Sequence, residues 1–202
     1  MSHQLTSFLK LACQGGAKKA QMAIAQAMQD WVCDEINQRL AKHGSQLKAN
    51  PKAHGYIGGW RTISVDIHIG ESKFGLLLAV DPKHLQGQSV EKNWNNTLND
   101  LIAFSANFHT RFPLCVVGGM IGFKASHISN PSKLKDMYSV VEHVATRDRP
   151  TDPLNLLEAF SFVAYECNPF GLSPNVPPPG SNLRVDKAID RMVDLLIQRN
   201  PM

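Results

Sequence analysis

In the segment 61–69, apolar and polar residues alternate strictly from Thr62 onward, with isoleucine or valine at positions 63, 65, 67 and 69. Alternation of period two with β-branched residues is typical of a strand that has one buried face. The polar residues 70–73 follow and predict a hairpin turn. Residues 74–80 are then almost entirely apolar, which indicates a second strand covered on both faces. The pattern therefore predicts a β-hairpin whose second strand is central in a sheet.

The second predicted strand ends in the charged triplet Asp81-Pro82-Lys83. Successive side chains of a strand point to opposite faces, so Asp81 and Lys83 share one face. Asp66 lies in the first strand and can approach Asp81 when the strands pair. Two close carboxylates repel unless a cation lies between them, and Mg²⁺ prefers oxygen ligands while keeping waters for substrate phosphates. We therefore expect Asp66 and Asp81 to bind Mg²⁺ and Lys83 to assist a water that attacks a phosphate.

This arrangement resembles the PD-(D/E)xK nuclease superfamily, to which many type II restriction endonucleases belong. In that family one acidic residue lies on a strand and an acidic-x-Lys triplet lies on the next. The matching residues here are Asp66 and Asp81-Pro82-Lys83, and the resemblance covers residues 61–123. Val65 stands where that family often has proline. The proline inside the triplet predicts a bulge or the end of the strand, because it removes a ladder hydrogen bond.

The resemblance implies an α/β fold with a mixed central β-sheet flanked by helices, that is, a restriction endonuclease-like core. It implies magnesium-dependent hydrolysis of phosphodiester bonds in double-stranded DNA, with a cognate DNA methyltransferase as biological companion. An enzyme of this size that cuts both strands usually works as a symmetric homodimer. A repair, recombination or mobile-element nuclease of the same fold remains open, as does a DNA-binding module that does not cut.

A helix before the hairpin often adds a glutamate to the metal cleft in that family. Glu35 is the candidate here, at the edge of the apolar stripe of a helix predicted over residues 17–42. A solvated charge on that helix is the alternative. The triplet Glu71-Ser72-Lys73 also has the acidic-x-Lys form, but it lies in the predicted turn, too close to Asp66 to sit beside it on a paired strand.

The rest of the chain predicts alternating helices and strands in one domain, with a core over residues 17–123 and a C-terminal extension over 124–202. Residues 90–110, 134–146 and the last segment of the chain have helical spacing. Residues 113–123 predict a central strand, and the helix before it predicts parallel pairing with the second hairpin strand. Further expectations are a basic loop over 44–59, a strand at the sheet edge over 156–165 and a proline-rich loop over 168–180.

Basic and amide side chains in three segments are candidates for DNA contact. They lie in the predicted loop before the hairpin, in the first turns of the helix after it and in the segment after the third strand. Such side chains bind phosphates or base edges, but a solvated loop or a helix cap explains each of them equally well. The candidates are Lys52, Arg61, Asn93, Asn96, Lys124, His127 and Lys133.

Composition narrows the class of protein. A net charge of +4 permits a polyanionic partner. The four cysteines are widely spaced without a CxxC pair, so we expect buried, reduced thiols in a cytoplasmic protein. We expect no membrane partner, since no apolar run is long enough to cross a bilayer and the N-terminus lacks the basic region of a secretion signal. The absence of GxGxxG, GxxxxGK[ST] and GxSxG argues against a small-molecule enzyme.

Overall fold

The computed structural model describes residues 1–16, 18–71, 75–87 and 89–200. Helices and strands alternate along most of the chain. The helices are α1 (His3–Gln14), α2 (Lys18–Lys42), α3 (Ser89–Arg111), α4 (Pro131–Val144) and α5 (Val185–Arg199), with a short 3-10 helix at Ala125–His127. The strands are β1 (His54–Ile57), β2 (Thr62–Val65), β3 (Ile67–Glu71), β4 (Gly75–His84), β5 (Val116–Lys124), β6 (Ala159–Cys167) and β7 (Phe170–Leu172).

A mixed sheet of order β3-β4-β5-β6-β7 forms the centre of the molecule. β3 and β4 pair antiparallel, β4, β5 and β6 are parallel to one another, and β7 returns antiparallel to β6. The helix α3 connects β4 to β5, which is the crossover that parallel neighbours require. The predicted α/β class, the mixed sheet and the parallel pairing of the third predicted strand are therefore confirmed.

Two apolar clusters cover the two faces of this sheet. One cluster joins α1, α2 and α5 to the sheet and includes Phe8, Met28 and Val80. The other joins α3 and α4 to the opposite face and includes Leu101 and Ala79. The chain therefore forms three layers, with helices on both sides of the sheet.

The first predicted strand is divided in two at Asp66. β2 ends at Val65 and pairs antiparallel with β1 in a separate two-stranded ribbon, whereas β3 begins at Ile67 and joins the central sheet. Val65 belongs to the cluster on the α3 side and Ile67 to the cluster on the α2 side. The prediction of one continuous strand was wrong, and so was the prediction of a plain loop over 44–59, because that segment contains β1.

The second hairpin strand continues beyond the expected boundary. β4 runs through Pro82 to His84, and its parallel register with β5 pairs Pro82 with Met120. The predicted bulge or end at Pro82 is therefore wrong. β3 begins opposite Val80, so β4 has only β5 as a partner beyond that point, and a strand with one free edge tolerates proline. Ser72, Lys73 and Phe74 lie outside the described residues.

Residues 124–202 contribute directly to the central sheet. β6 confirms the expected strand over residues 156–165, but it lies inside the sheet, because β7 pairs along its outer side. The proline-rich segment 168–180 contains β7. α5 packs against β5 and β6 through the apolar cluster of the α2 side. The segment predicted as an extension is thus part of the same packed unit.

The cysteines divide into two classes. Cys13 in α1 and Cys167 at the end of β6 form a disulfide, 154 positions apart in the chain. The prediction of reduced thiols was wrong for this pair, since the packing of α1 against the end of β6 brings the two residues together. Cys33 and Cys115 are free and buried, as expected.

Candidate functional site

The register of the β3–β4 hairpin brings Asp66 and Asp81 together. Ile67 pairs with Val80, so one step further along each strand places Asp66 opposite Asp81. Asp66 lies at the bend between β2 and β3 and is half-buried, whereas Asp81 is only 7% exposed. Asp81 alternates with Val80 and therefore points to the face of the sheet that α3 covers.

Lys83 supplies the positive charge at this place. It lies two residues beyond Asp81 in β4 and therefore on the same face. Its Nζ atom is 2.6 Å from Oδ1 of Asp81, and its side chain is 41% exposed. The site thus combines a buried carboxylate, a second carboxylate beside it and an ammonium group that reaches from the carboxylates towards solvent.

The pKa values of Asp81 and Lys83 reflect this environment. Burial raises the pKa of Asp81 to about 6, against the opposing effect of Lys83 and with a further upward contribution from Asp66. Burial acts to lower the pKa of Lys83, but Asp81 above all, with Asp66 and Asp100, outweighs it and raises that pKa. The ammonium group of Lys83 therefore lies beside the carboxyl groups of both Asp81 and Asp66.

Two carboxylates are a donor set that suits Mg²⁺ better than Zn²⁺. Within the described ranges, no group of three or more His, Cys, Asp or Glu side chains is arranged to hold a metal. Zn²⁺ sites usually need three or four such ligands. Mg²⁺ is usually held by one or two carboxylates, with waters and substrate phosphates completing its shell. Asp66 and Asp81 have that number and type of oxygen ligand.

Glu35 is not part of this group. It lies on α2, which packs on the opposite face of the sheet from Asp81. Its Oε1 atom accepts a hydrogen bond from Nε1 of Trp31 at 3.3 Å, and its Oε2 atom is 2.8 Å from Nη1 of Arg39. Arg39 in turn pairs with Asp190 of α5 at 2.6 Å. Glu35, the expected third carboxylate of the cleft, thus holds Arg39 of α2, which in turn pairs with α5.

The helix α3 adds one residue that sequence reasoning did not identify. Asp100 contributes to the raised pKa of Lys83, so the middle of α3 lies near the site. Asn93 and Asn96 precede Asp100 by seven and four positions, which places all three on one side of the helix. Both asparagines are exposed. Helical spacing relates these residues, but only the packing of α3 over β4 shows that their side of the helix lies near Lys83.

The other candidate DNA contacts are spread over two regions. Lys52 and Arg61 are exposed in the loop and ribbon region that precedes β3. Lys124 ends β5, and Lys133 lies in the first turn of α4. Nδ1 of His127 accepts a hydrogen bond from the backbone N–H of Gly87 at 3.0 Å, which joins the segments that follow β5 and β4. The second region thus lies at the carboxyl ends of two parallel strands, where sheets of this type bind ligands.

A buried polar cluster lies elsewhere, at the amino ends of β5 and β6. His109 lies 3.1 Å from Oγ of Ser105 through Nδ1 and 3.2 Å from Oε2 of Glu158 through Nε2. This order of groups has the form of a nucleophilic triad. All three side chains are buried, however, and the Ser105 hydroxyl donates to the carbonyl of Leu156 at 2.7 Å. The Ser105 oxygen is closed to a substrate, so the cluster is structural.

A cavity of about 810 Å³ lies between α4 and α5. Its lining mixes charges of both signs and includes Glu142, Lys187 and Asp194. It is separate from the hairpin, so it contributes nothing to the group formed by Asp66, Asp81 and Lys83.

The described helices include none that is long and apolar enough to cross a membrane. Comparison of the chain with protein-family models, with curated proteins and with solved structures found no match. The function of the chain is therefore inferred from the geometry at the end of the hairpin.

Proposed function

We propose that the chain is a magnesium-dependent DNA endonuclease that hydrolyses phosphodiester bonds, and we assign it to the type II restriction class by its resemblance to that group. One observation carries the proposal. The register of β3 and β4 brings Asp66, one residue before β3, close to Asp81 of β4, and the Nζ atom of Lys83 lies 2.6 Å from Asp81. Carboxylates and an amine in this order are what the PD-(D/E)xK resemblance implies.

Burial supports a catalytic role for these groups over an ordinary surface ion pair. A buried carboxylate beside another carboxylate costs free energy in the absence of a cation. Asp81 keeps this position although β4 is otherwise apolar as far as Val80. Groups whose pKa values are shifted by burial and by a defined charge partner are common at functional sites. The mixed sheet, with the hairpin at one edge, is compatible with a nuclease core.

Each residue has a defined role in the proposed reaction. Asp66 and Asp81 hold Mg²⁺, which when bound supplies a Lewis acid for the phosphate group. Lys83 donates a hydrogen bond to the attacking water or to a phosphate oxygen and stabilises the negative charge that develops there. The water oxygen forms a bond to phosphorus and gives up a proton to the solvent, the bond from phosphorus to the leaving oxygen breaks, and the leaving oxygen takes up a proton from the solvent, so that one water is consumed for each bond cut.

The partners follow from the reaction. The substrate is double-stranded DNA, and two copies of the chain are needed to cut both strands at one place, which suggests a homodimer. A restriction role requires a DNA methyltransferase that protects the host genome, and it places the enzyme in the cytoplasm. A repair, recombination or mobile-element nuclease would use the same site without the methyltransferase.

The position of Glu35 favours one alternative, a DNA-binding module that does not cut. A site in which Asp66 and Asp81 are the metal ligands has fewer protein ligands than a nuclease cleft that is completed by a glutamate. The module would bind DNA through the same exposed basic and amide side chains. It differs from the enzyme in one measurable way, because it leaves the phosphodiester bonds intact.

Nicking of supercoiled plasmid, with Mg²⁺ or with EDTA, tests the proposal. We expect cutting only with the metal, and we expect Asp81→Asn and Lys83→Ala each to reduce it by about 100-fold or more, the effect usual for lost charge stabilisation. Gel-shift binding in EDTA should change by only a few-fold. Asp186→Asn, in an exposed ion pair at the start of α5, is the control.

The outcomes separate the possibilities. If both variants cut as well as the parent, the site is assigned to the wrong residues. If the parent binds DNA but does not cut with Mg²⁺ or Mn²⁺, the non-catalytic module is correct.

A further inference from the structure

The turn between β1 and β2 is held rigidly by one buried side chain. Asn107 of α3 is fully buried, and its Oδ1 atom accepts hydrogen bonds from the backbone N–H groups of Trp60 at 3.1 Å and Arg61 at 3.3 Å. Its Nδ2 atom donates to the carbonyl of Arg61 at 3.1 Å, and its backbone carbonyl accepts from the N–H of Gly59 at 2.7 Å. Four hydrogen bonds from one residue therefore fix the turn on the end of α3.

The two glycines of the turn make this close approach possible. A Cβ atom at Gly58 would lie 2.0 Å from Nδ2 of Asn107, and one at Gly59 would lie 2.5 Å from the side chain of Thr110. Neither distance is open to a real side chain, so larger residues would push the turn away from the helix. The backbone of Gly58 and Gly59 therefore packs closely against α3, and the side chain of the next residue, Trp60, is exposed.

Trp60 is 58% exposed on this turn, and Ile57, at the end of β1 three positions earlier, is 59% exposed. Burying an aromatic side chain is among the largest favourable contributions to folding, so an exposed tryptophan on a fixed turn indicates a surface that meets a partner. The other two tryptophans, Trp31 and Trp94, are 2% and 4% exposed.

The segment of the chain that contains this turn carries charge of one sign. Residues 36–65 contain no Asp or Glu. Lys48, Lys52 and Arg61 are exposed within this stretch, and none of them takes part in an ion pair within the part of the chain that the structure describes. The first carboxylate after this basic stretch is Asp66. An aromatic side chain followed directly by an unpaired cation, in a segment without carboxylates, matches a polyanion whose bases have flat apolar faces.

We propose that the Trp60 turn is a second contact with DNA, in which the indole stacks against a nucleobase and Arg61 binds an adjacent phosphate. The inference rests on the proposed function, because it takes DNA as the substrate of the Asp66–Asp81–Lys83 site. Arg61 precedes Asp66 by five residues along β2, a span of about 17 Å at 3.3 Å per residue. The same span covers about five base pairs at 3.4 Å each. One duplex can therefore reach both places.

Tryptophan fluorescence tests this contact without any need for cutting. In EDTA, a 20-base-pair duplex is titrated into the full chain while the emission is recorded, and the same strand is tested in single-stranded form. We expect quenching that is lost in Trp60→Phe, since the other two tryptophans are buried. Binding measured by fluorescence anisotropy of labelled DNA should weaken by about 5- to 150-fold in Trp60→Ala, the range for loss of one stacked base, and less in Trp60→Phe.

Two further variants define the contact. Arg61→Gln should reduce the slope of log affinity against log salt by about one, because one phosphate contact is lost. Phe170→Ala, which removes another exposed aromatic side chain at the opposite edge of the sheet, should leave binding unchanged. Stronger quenching by the duplex would show that Trp60 stacks on a base of double-stranded DNA, and stronger quenching by the single strand would show that it stacks on an unpaired base.

The results distinguish this inference from the proposed function. Quenching and weakened binding without any cutting would support the DNA contact and contradict the nuclease. Cutting and binding that are unchanged in Trp60→Ala would overturn the DNA contact and leave the nuclease intact. A parent chain that binds neither form of DNA would overturn both.

Discussion

Asp81 is the residue on which the proposed chemistry depends most directly. Its side chain is buried in a strand whose preceding residues, from Leu76 to Val80, are apolar and also buried. The favourable partner available to it is Lys83, and the nearby Asp66 acts against it. A carboxylate in this position destabilises the fold whenever it is ionised, which is expected of a group retained for binding a cation.

The free energy of unfolding should reveal this cost through its dependence on pH. The pKa of Asp81 is about 6 in the folded chain, compared with an ordinary value of 3.8. Between these values the folded chain binds more protons than the unfolded chain, so its stability falls as the pH rises through this window. Asp81→Asn lacks this effect. Urea unfolding in EDTA should therefore show the parent losing up to about 3 kcal/mol relative to the variant between pH 4 and pH 7.

Added Mg²⁺ provides the internal control for that measurement. A cation that binds only the folded parent stabilises it at pH 7, whereas Asp81→Asn should respond much less. A difference between parent and variant that stays constant from pH 4 to pH 7 would show that Asp81 does not titrate in this range.

At the scale of elements, the sequence predicted most of the central layer but missed the bend at Asp66. The apolar run of β4, the helical spacing of α3 and the apolar run of β5 each report burial directly, so their order and parallel pairing could be predicted. Ile63, Val65, Ile67 and Ile69 keep one period across the bend because the residues on both sides of it face apolar clusters. The pattern records which residues are apolar, and it cannot show that Val65 and Ile67 pack on different faces.

In the candidate site, too, the sequence predicted what depends on local strand geometry and missed what depends on the packing of helices. Asp66, Asp81 and Lys83 could be related because strand alternation and antiparallel pairing are local rules. The true environment of Glu35 depends on how α2 is rotated against α5, where Arg39 and Asp190 lie. The spacing of apolar residues along α2 does not show how this helix is rotated against α5. Asp100 was missed for a similar reason, since its approach to Lys83 depends on the path of α3 across the sheet.

The buried cluster around Glu158 joins several elements and has no signal in the sequence. Oε1 of Glu158 pairs with Arg147 at 2.5 Å and with Arg199 of α5 at 2.7 Å, and Oε2 accepts the N–H of Val117 in β5 at 2.8 Å. Burial acts to raise the pKa of Glu158, but hydrogen bonding to His109 above all, with the other partners, lowers it. The cluster therefore ties α3, β5, β6 and α5 together at one end of the sheet.

Removal of the Glu158 charge should destabilise the chain strongly. Glu158→Gln leaves the buried guanidinium of Arg147 without its carboxylate, and breaking one partner of a buried ion pair costs about 3–5 kcal/mol. Urea unfolding at pH 7 measures the loss. Asp186→Asn removes a carboxylate from the exposed pair with Arg184 and should cost about 1 kcal/mol or less. Equal losses in the two variants would contradict a structural role for the cluster.

At the scale of the whole molecule, α1 closes the layer that α2 and α5 form over the sheet. Phe8 is fully buried between the rings of Trp31 and Tyr165, with centroid distances of 5.8 Å to each. The disulfide from Cys13 to Cys167 then fixes the end of α1 to the end of β6. Disulfides are rare in cytosolic proteins, so this bond counts against the cytoplasmic location expected for a restriction enzyme.

Thiol labelling tests whether the Cys13–Cys167 disulfide is present or whether all four cysteines are reduced, as expected for a cytoplasmic protein. Alkylation in denaturant without a reductant should modify only Cys33 and Cys115, and all four cysteines should react after reduction. Because the bond closes a loop of more than 150 residues, Cys13→Ser should lower the free energy of unfolding by about 2–5 kcal/mol under non-reducing conditions. With a reductant present the parent should approach the variant, since neither then has the cross-link. Four reactive thiols in the purified, unreduced chain would show that Phe8 and its neighbours hold α1 without a covalent bond, as a cytoplasmic nuclease would require.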